Sequence, residues 1–84
     1  MKIVKLKIKS KGIKAIKSIN KFKSGYIEDI LIEKIQVNFG YVIFDVAIYV
    51  KKPNYNYVSL CKKIHKYLYN RDEKYIEMVV TQQP

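Results

Sequence analysis

The sequence predicts an α+β fold, in which a four-stranded antiparallel sheet carries two helices on one face. Apolar residues alternate with period two in four stretches, which is typical of strands with one buried side, and they recur at helical spacing in two others. A chain of 84 residues has room for one hydrophobic core. We therefore expect a single basic domain that spans residues 1–84.

The first predicted strand covers residues 1–9, in which apolar side chains alternate with lysines. Lys5, Lys7 and Lys9 then form a ladder on the face that points away from the core. Like charges on one strand face repel each other, and no acid precedes Glu28 in the chain. Either an anionic partner or acids from a neighbouring strand should therefore lie opposite the ladder.

The first predicted helix covers residues 11–23, where the apolar period changes to that of an amphipathic helix. Lys14, Lys17 and Lys21 gather on the side opposite the apolar residues. Gly25 follows and supplies the backbone freedom that commonly ends a helix. The helix should therefore carry a second basic stripe, directed away from the open face of the sheet.

The middle of the chain, residues 26–50, contains two extended stretches rich in Ile, Val, Phe and Tyr. Alternation is clearest in the second stretch, from Tyr41 to Val50. The first stretch also fits helical spacing, although a strand is the favoured interpretation. Two adjacent strands, each buried on at least one face, are therefore expected here.

The last part of the chain is predicted to form a helix and a strand. Asn54 or Asn56 can cap a helix over residues 57–69, whose apolar side chains share one face. Residues 70–72 are the predicted turn, and residues 74–81 return to period two.

The resulting order of strand, helix, strand, strand, helix, strand is that of the ferredoxin-like βαββαβ fold. Connections that pass from a strand through a helix to a parallel strand are right-handed, so both helices should lie on the same side of the sheet. The opposite face of the sheet is then left open.

The charge of the chain favours a polyanion as its partner. It carries 17 basic residues, of which Arg71 is the only arginine, and 7 acidic residues, so its formal net charge is +10. Lysine suits attraction to phosphates better than the two-point recognition of bases that arginine provides. With 49% hydrophobic residues, the chain should nevertheless fold.

Several classes of protein are excluded by the same counts. The longest uncharged stretch, residues 35–44, is about half as long as a membrane-spanning helix. The N-terminus lacks the apolar segment of a secretory signal, so we expect a cytoplasmic protein without a membrane partner. Cys61 and His65 are the only residues of their types, which rules out an internal disulfide and a zinc finger; no metal or other cofactor is expected.

One segment resembles a motif of RNA-binding domains. Phe39-Gly40-Tyr41-Val42-Ile43-Phe44 resembles the octamer of the RNA recognition motif family, K/R-G-F/Y-G/A-F-V-x-F/Y. The resemblance implies a βαββαβ fold in which Phe39 and Tyr41 lie on the open sheet face beside Lys5 and Lys7. Bases would stack on the two rings while the lysines neutralise phosphates.

Two registers of this segment remain open. In the register of the family, the third strand begins before Phe39, and Gly40 lies within the strand. Alternatively, Ile35, Val37 and Phe39 alternate along one face of the preceding strand, and the hairpin turn lies near Gly40. Val37 and Asn38 also stand where the octamer has a basic residue and a glycine, and the first strand lacks the aromatic residue of the family.

We expect the chain to be a small, non-enzymatic module that binds nucleic acid, with RNA or another single-stranded nucleic acid as the first candidate. Such a module could work within a larger ribonucleoprotein. The residues predicted to bind are Lys5, Lys7, Lys9, Lys14, Lys17, Lys21, Phe39, Tyr41 and Tyr49.

Two other functions remain open. The chain could be a self-assembling or protein-interaction module, encoded by a mobile element, that forms a homo-oligomer or binds an acidic protein partner. A weaker alternative is a dimeric metal-dependent nuclease built around Asp45. No phosphate-binding glycine loop, catalytic triad or acid pair is present, so we predict no catalytic residues. His65 and Cys61 are expected to pack rather than react.

Overall fold

The α+β prediction is confirmed by a computed structural model, which describes residues 2–51, 56–71 and 75–83. The six elements follow one another in the predicted order. They are β1 (Lys2–Ser10), α1 (Lys14–Lys21), β2 (Ile27–Asn38), β3 (Tyr41–Val50), α2 (Tyr57–Arg71) and β4 (Ile76–Gln82). The stretch that also fitted helical spacing is the strand β2, as favoured.

The four strands form one sheet in the order β2-β3-β1-β4, and every neighbouring pair is antiparallel. The two strands at the edges are therefore β2 and β4. The 12-residue strand β2 is irregular, because its register against β3 shifts on either side of Glu28 and of Glu33. Each of these residues is an extra residue in its strand, which is the definition of a β-bulge.

The core lies between the two helices and one face of the sheet. Alternate residues of β1 and β3 point into it, and Phe44 is the largest side chain that is fully buried. Helix α1 contributes Ala15 and Ile19, which are four residues apart and therefore share a helix face. Helix α2 contributes Leu60, Ile64 and Leu68 at the same spacing.

Side-chain hydrogen bonds join the helices to each other and to the sheet. The hydroxyl of Tyr67 on α2 donates to the carbonyl oxygen of Ser18 on α1 at 3.0 Å. The Tyr67 ring also meets Phe22 edge to face, with centroids 5.0 Å apart. On the other side of α2, His65 Nε2 donates to the carbonyl oxygen of Ile76 at the start of β4, at 3.0 Å. The imidazole therefore ties α2 to β4.

The ends of the helices differ from the predicted ones. Helix α1 stops at Lys21 because Phe22 takes an extended conformation, with φ −67° and ψ 129°, so the chain leaves the helix before Gly25. Asn56 is a helix cap, as predicted, since its Oδ1 accepts a hydrogen bond from the Val58 amide at 2.9 Å. Helix α2 continues through residues 70 and 71, which were predicted to form a turn.

Some predicted features lie outside the described residues. These are the start of the chain at residue 1, the break at residues 52–55, including the alternative cap Asn54, and residues 72–74 after α2.

The hairpin between β2 and β3 decides between the two registers. Asn38 pairs with Tyr41, and the two residues between them have positive φ angles, 49° at Phe39 and 79° at Gly40. This is the pattern of a two-residue type I′ turn. The turn therefore lies at Phe39 and Gly40, and the register in which β3 begins before Phe39 is wrong.

Candidate nucleic-acid interface

The predicted lysine ladder lies on the open face of the sheet. Alternate residues of β1 are buried in the core, so Lys5, Lys7 and Lys9 point to the other side. Two of the three are only partly exposed, and Lys7 is exposed. Their side chains therefore have neighbours on this face.

An acid from β2 lies beside the first of these lysines. Lys5 Nζ is 3.5 Å from Glu33 Oε1, although β3 separates their strands. The contact is diagonal, because the residue of β3 opposite Lys5 is Ala47, which pairs with Leu31 on β2 and not with Glu33. The bulge at Glu33 contributes to this contact, because the extra residue points to the open face.

Acids from β3 and β4 lie near the other two lysines. Lys9 Nζ is 3.8 Å from Glu77 Oε2 on β4, and Lys7 lies opposite Asp45 of β3 in the strand register. Acids on the other strands therefore lie beside the lysines of β1. This is one of the two predicted alternatives, the other being an anionic partner. The open face carries no large excess of positive charge at these three positions.

Two tyrosines and two lysines gather at one end of the open face. The rings of Tyr41 on β3 and Tyr75, just before β4, are 5.4 Å apart and inclined at 45°. Lys9 Nζ lies 4.4 Å from the centroid of the Tyr41 ring, and Lys11 Nζ lies 5.4 Å from that of Tyr75. Both distances fall within the range of cation–π contacts. We call these four residues the tyrosine–lysine cluster.

The surroundings of the tyrosine–lysine cluster affect a tyrosine hydroxyl. Desolvation, together with the neighbouring carboxylate of Glu77, raises the pKa of Tyr75 above its usual value. Tyr75 and Lys11 were not among the predicted binding residues. Tyr75 does belong to the alternation of the last strand, but pairing it with Tyr41 requires the order and register of the strands.

The other two predicted aromatic residues lie elsewhere. Tyr49 is on the open face but eight residues along β3 from Tyr41, which corresponds to about 27 Å of strand. Phe39 is in the hairpin turn and is 94% exposed, so it does not lie beside Lys5 and Lys7 as the family register implies. The structure therefore brings Tyr41 together with Tyr75, and not with Phe39 or Tyr49.

Among the described residues, the most uniform positive charge is carried by the two helices. Lys14, Lys17 and Lys21 of α1 are all exposed, as predicted. Helix α2 adds further exposed cations, namely Lys62, Lys63, Lys66 and Arg71. Neither helix contains an acidic residue. We call these seven residues the helical basic surface.

Acidic residues of the described chain lie in the strands. They are Glu28, Asp29 and Glu33 on β2, Asp45 on β3, and Glu77 on β4. The remaining two acids, residues 72 and 73, follow α2 and lie outside the described residues. Charge is therefore segregated, with a mixed open face on the sheet and a basic face on the helices.

Groups capable of catalysis are dispersed. His65 is engaged with the Ile76 carbonyl and stacks on Tyr69, with ring centroids 6.3 Å apart. Burial raises the pKa of the Cys61 thiol, which disfavours its thiolate form. Within residues 2–51, 56–71 and 75–83, no three His, Cys, Asp or Glu side chains gather as metal ligands would, and Asp45 lies in register opposite Lys7 and Lys34.

Neither helix of the described chain is long and apolar enough to cross a lipid bilayer.

Comparison with models of protein families, with curated proteins and with solved structures found no match to this chain.

Proposed function

We propose that this chain is a small, non-enzymatic, cytoplasmic module that binds nucleic acid, with single-stranded RNA as its first candidate ligand. The observation that carries the proposal is the helical basic surface, where seven cations from two packed helices face solvent without an acid on either helix. Phosphate groups spaced along a nucleic-acid strand match such a surface, because each neutralised phosphate releases counterions and so favours binding.

We also infer that the fold is ferredoxin-like. In support, each helix connects two strands that are separated by one antiparallel neighbour: α1 joins β1 to β2 around β3, and α2 joins β3 to β4 around β1. This is the split βαβ arrangement. It leaves the helical basic surface and the open sheet face on opposite sides of the molecule.

The tyrosine–lysine cluster supports a single-stranded ligand. Two aromatic rings side by side on an open sheet offer a platform for unpaired bases. The ammonium groups of Lys9 and Lys11 lie over these rings, and a stacking base would displace them toward its phosphates, whose charge they can neutralise. Bases in a duplex are already stacked on each other and cannot use such a platform. RNA is placed before DNA because RNA-binding sheets commonly stack bases in this manner.

The test is fluorescence anisotropy of the chain with labelled single-stranded RNA, single-stranded DNA and duplex DNA across a salt series. We compare two triple variants that remove the same charge: Lys14→Gln, Lys17→Gln and Lys21→Gln on α1, and Lys5→Gln, Lys7→Gln and Lys9→Gln on β1. The first should reduce the slope of log affinity against log salt by about two for single strands, since each lost phosphate contact contributes about 0.7. The second should reduce it less, because its lysines already face acids.

A double variant, Tyr41→Ala with Tyr75→Ala, tests the stacking platform. Loss of one stacked base should weaken single-strand binding about tenfold, while duplex binding stays unchanged. Equal effects of both triple variants would show that net charge, and not the helical basic surface, drives binding. Absence of binding to all three nucleic acids at low salt would refute the proposed function.

A further inference from the structure

The C-terminal half of β2 exposes apolar side chains that the helices do not cover. Ile35 and Val37 pair with the buried residues Phe44 and Val42 of β3, so they lie on the helical side of the sheet. They are nevertheless 57% and 74% exposed. An edge strand with uncovered apolar residues offers unpaired backbone groups and an apolar strip to another strand.

The bulge at Glu33 gives this edge an internal symmetry. Between residues 29 and 38, the side chains that share the open face are Asp29, Leu31, Glu33, Lys34, Gln36 and Asn38. Those that share the helical face are Ile30, Ile32, Ile35 and Val37. Glu33 and Lys34 both lie on the open face. Starting from the peptide bond between them, the side chains therefore alternate between the open face and the helical face in the same order toward either end of the strand.

We propose that two copies of this chain associate through their β2 edges, antiparallel, about a two-fold axis at the Glu33–Lys34 peptide. In this register every residue from 29 to 38 meets a residue of the second copy that shares its face. A shift by one or two residues would set open-face residues against helical-face residues next to the axis. The proposal concerns self-association and does not rest on nucleic-acid binding.

The side chains brought together at this seam complement each other. Ile35 meets Ile32 of the second copy, and Val37 meets Ile30 of the second copy. Each exposed apolar side chain is therefore covered by an isoleucine that is partly buried in its own copy, and the two-fold axis repeats both contacts. Glu33 meets Lys34 of the second copy, and the symmetry repeats the pair. Lys34 is exposed and forms no ion pair with any other described residue, whereas Glu33 already lies 3.5 Å from Lys5, so Glu33 would contact one lysine of each copy.

The distribution of charge permits such a contact in a chain of net charge +10. Charges and bulges on an edge strand usually prevent pairing, because random registers bring like charges together. Here β2 carries three acids and one lysine, so the two copies bring net charge of the same sign together, but in this register Glu33 meets Lys34 and Asp29 meets Asn38 of the second copy, so no acid meets an acid. A two-fold axis perpendicular to the sheet also places all four helices on one side, with the seam along the sheet edge.

The test is sedimentation velocity of the nuclease-treated protein at high salt over a concentration series. The intact chain should approach twice its 10.0 kDa mass as concentration rises. Val37→Lys should return it to the monomer mass, whereas the control Val79→Lys, at a 60% exposed position on the other edge strand, should not. Circular dichroism of each variant checks that the fold is retained.

A charge-swap series tests the register. Lys34→Glu sets two carboxylates against each other at both symmetric positions and should raise the dimer dissociation constant about tenfold or more. Glu33→Lys combined with Lys34→Glu restores opposite charges and should restore much of the association. Failure of that rescue would overturn the proposed register. A monomer at every concentration, or a dimer that Val37→Lys leaves intact, would overturn the interface, whatever the chain does with nucleic acid.

Discussion

Replacement of Phe39 by Asn should stabilise the fold, although it removes a large aromatic side chain. Phe39 occupies the first central position of the hairpin turn with a φ of 49°, a conformation in which the Cβ of an ordinary L-residue crowds the following carbonyl oxygen. Asn followed by Gly is the preferred pair for this turn, because asparagine tolerates left-handed backbone angles and glycine is free of side-chain restrictions.

The magnitude follows from two terms. The left-handed conformation costs an ordinary residue about 1–2 kcal/mol, of which Asn should recover a large part. The opposing term is small, since the Phe39 side chain is almost fully exposed and has little buried surface to lose. The net gain in unfolding free energy should be about 1 kcal/mol, which for a domain of this size corresponds to a rise of about 4–8 °C in Tm.

Urea unfolding followed by circular dichroism measures this gain, with Phe39→Ala as the matched control. Alanine removes the ring but keeps a Cβ, so it should change stability little, whereas asparagine should raise the urea midpoint without changing the slope. If both variants were stabilised equally, the gain in unfolding free energy would come from removal of the ring and not from relief of the backbone strain. A lower midpoint for Phe39→Asn would refute the reasoning, because the ring would then make stabilising contacts.

Two further predictions concern the helical layer. Tyr67→Phe should lower the unfolding free energy by about 1 kcal/mol, because the Ser18 carbonyl loses its 3.0 Å donor while the edge-to-face contact with Phe22 is kept. Urea unfolding measures this loss, and an unchanged urea midpoint would contradict the prediction. Cys61 should react with iodoacetamide near neutral pH more slowly in the folded than in the urea-unfolded chain, because burial raises its pKa. The pKa of the Cys61 thiol is higher in the folded chain than in the unfolded chain. Its contribution to the unfolding free energy is therefore fully present below the unfolded pKa, and it is lost as the pH rises through the folded pKa.

Much of the fold could be predicted because its signals are local. The two periods of apolar residues identify five of the six elements, among them the central strand β3 from Tyr41 to Val50, whereas the spacing in β2 also fits a helix. The ends of α1 and α2 were less predictable, since they depend on packing: Phe22 turns out of the helix and against Tyr67, a contact 45 residues away along the chain. A single sequence does not show which distant side chain packs against such a residue and so decides whether the helix continues.

The candidate site was harder to predict because it depends on which strands are neighbours. The lysines of β1 were placed on the correct face, but their acids come from β2, β3 and β4, and Glu33, which contacts Lys5 across β3, lies at a bulge. The pairing of Tyr41 with Tyr75 depends in the same way on the order of the strands. Phe39 was misplaced in the family register because a motif of aromatic residues and glycine fits both a strand and a turn.

The segregation of charge bears on stability as well as on binding. Seven cations on two short helices without an acid repel one another, which disfavours the folded chain most at low salt. The open face shows the opposite arrangement, since Lys5 and Lys9 each lie within 4 Å of a carboxylate. A bound polyanion would offset the repulsion on the helical side and stabilise the folded state by an amount that rises with the logarithm of its affinity. The lysines of α1 and α2 therefore weaken the isolated fold, and the proposed binding of phosphates predicts that a polyanion raises the unfolding free energy most at low salt.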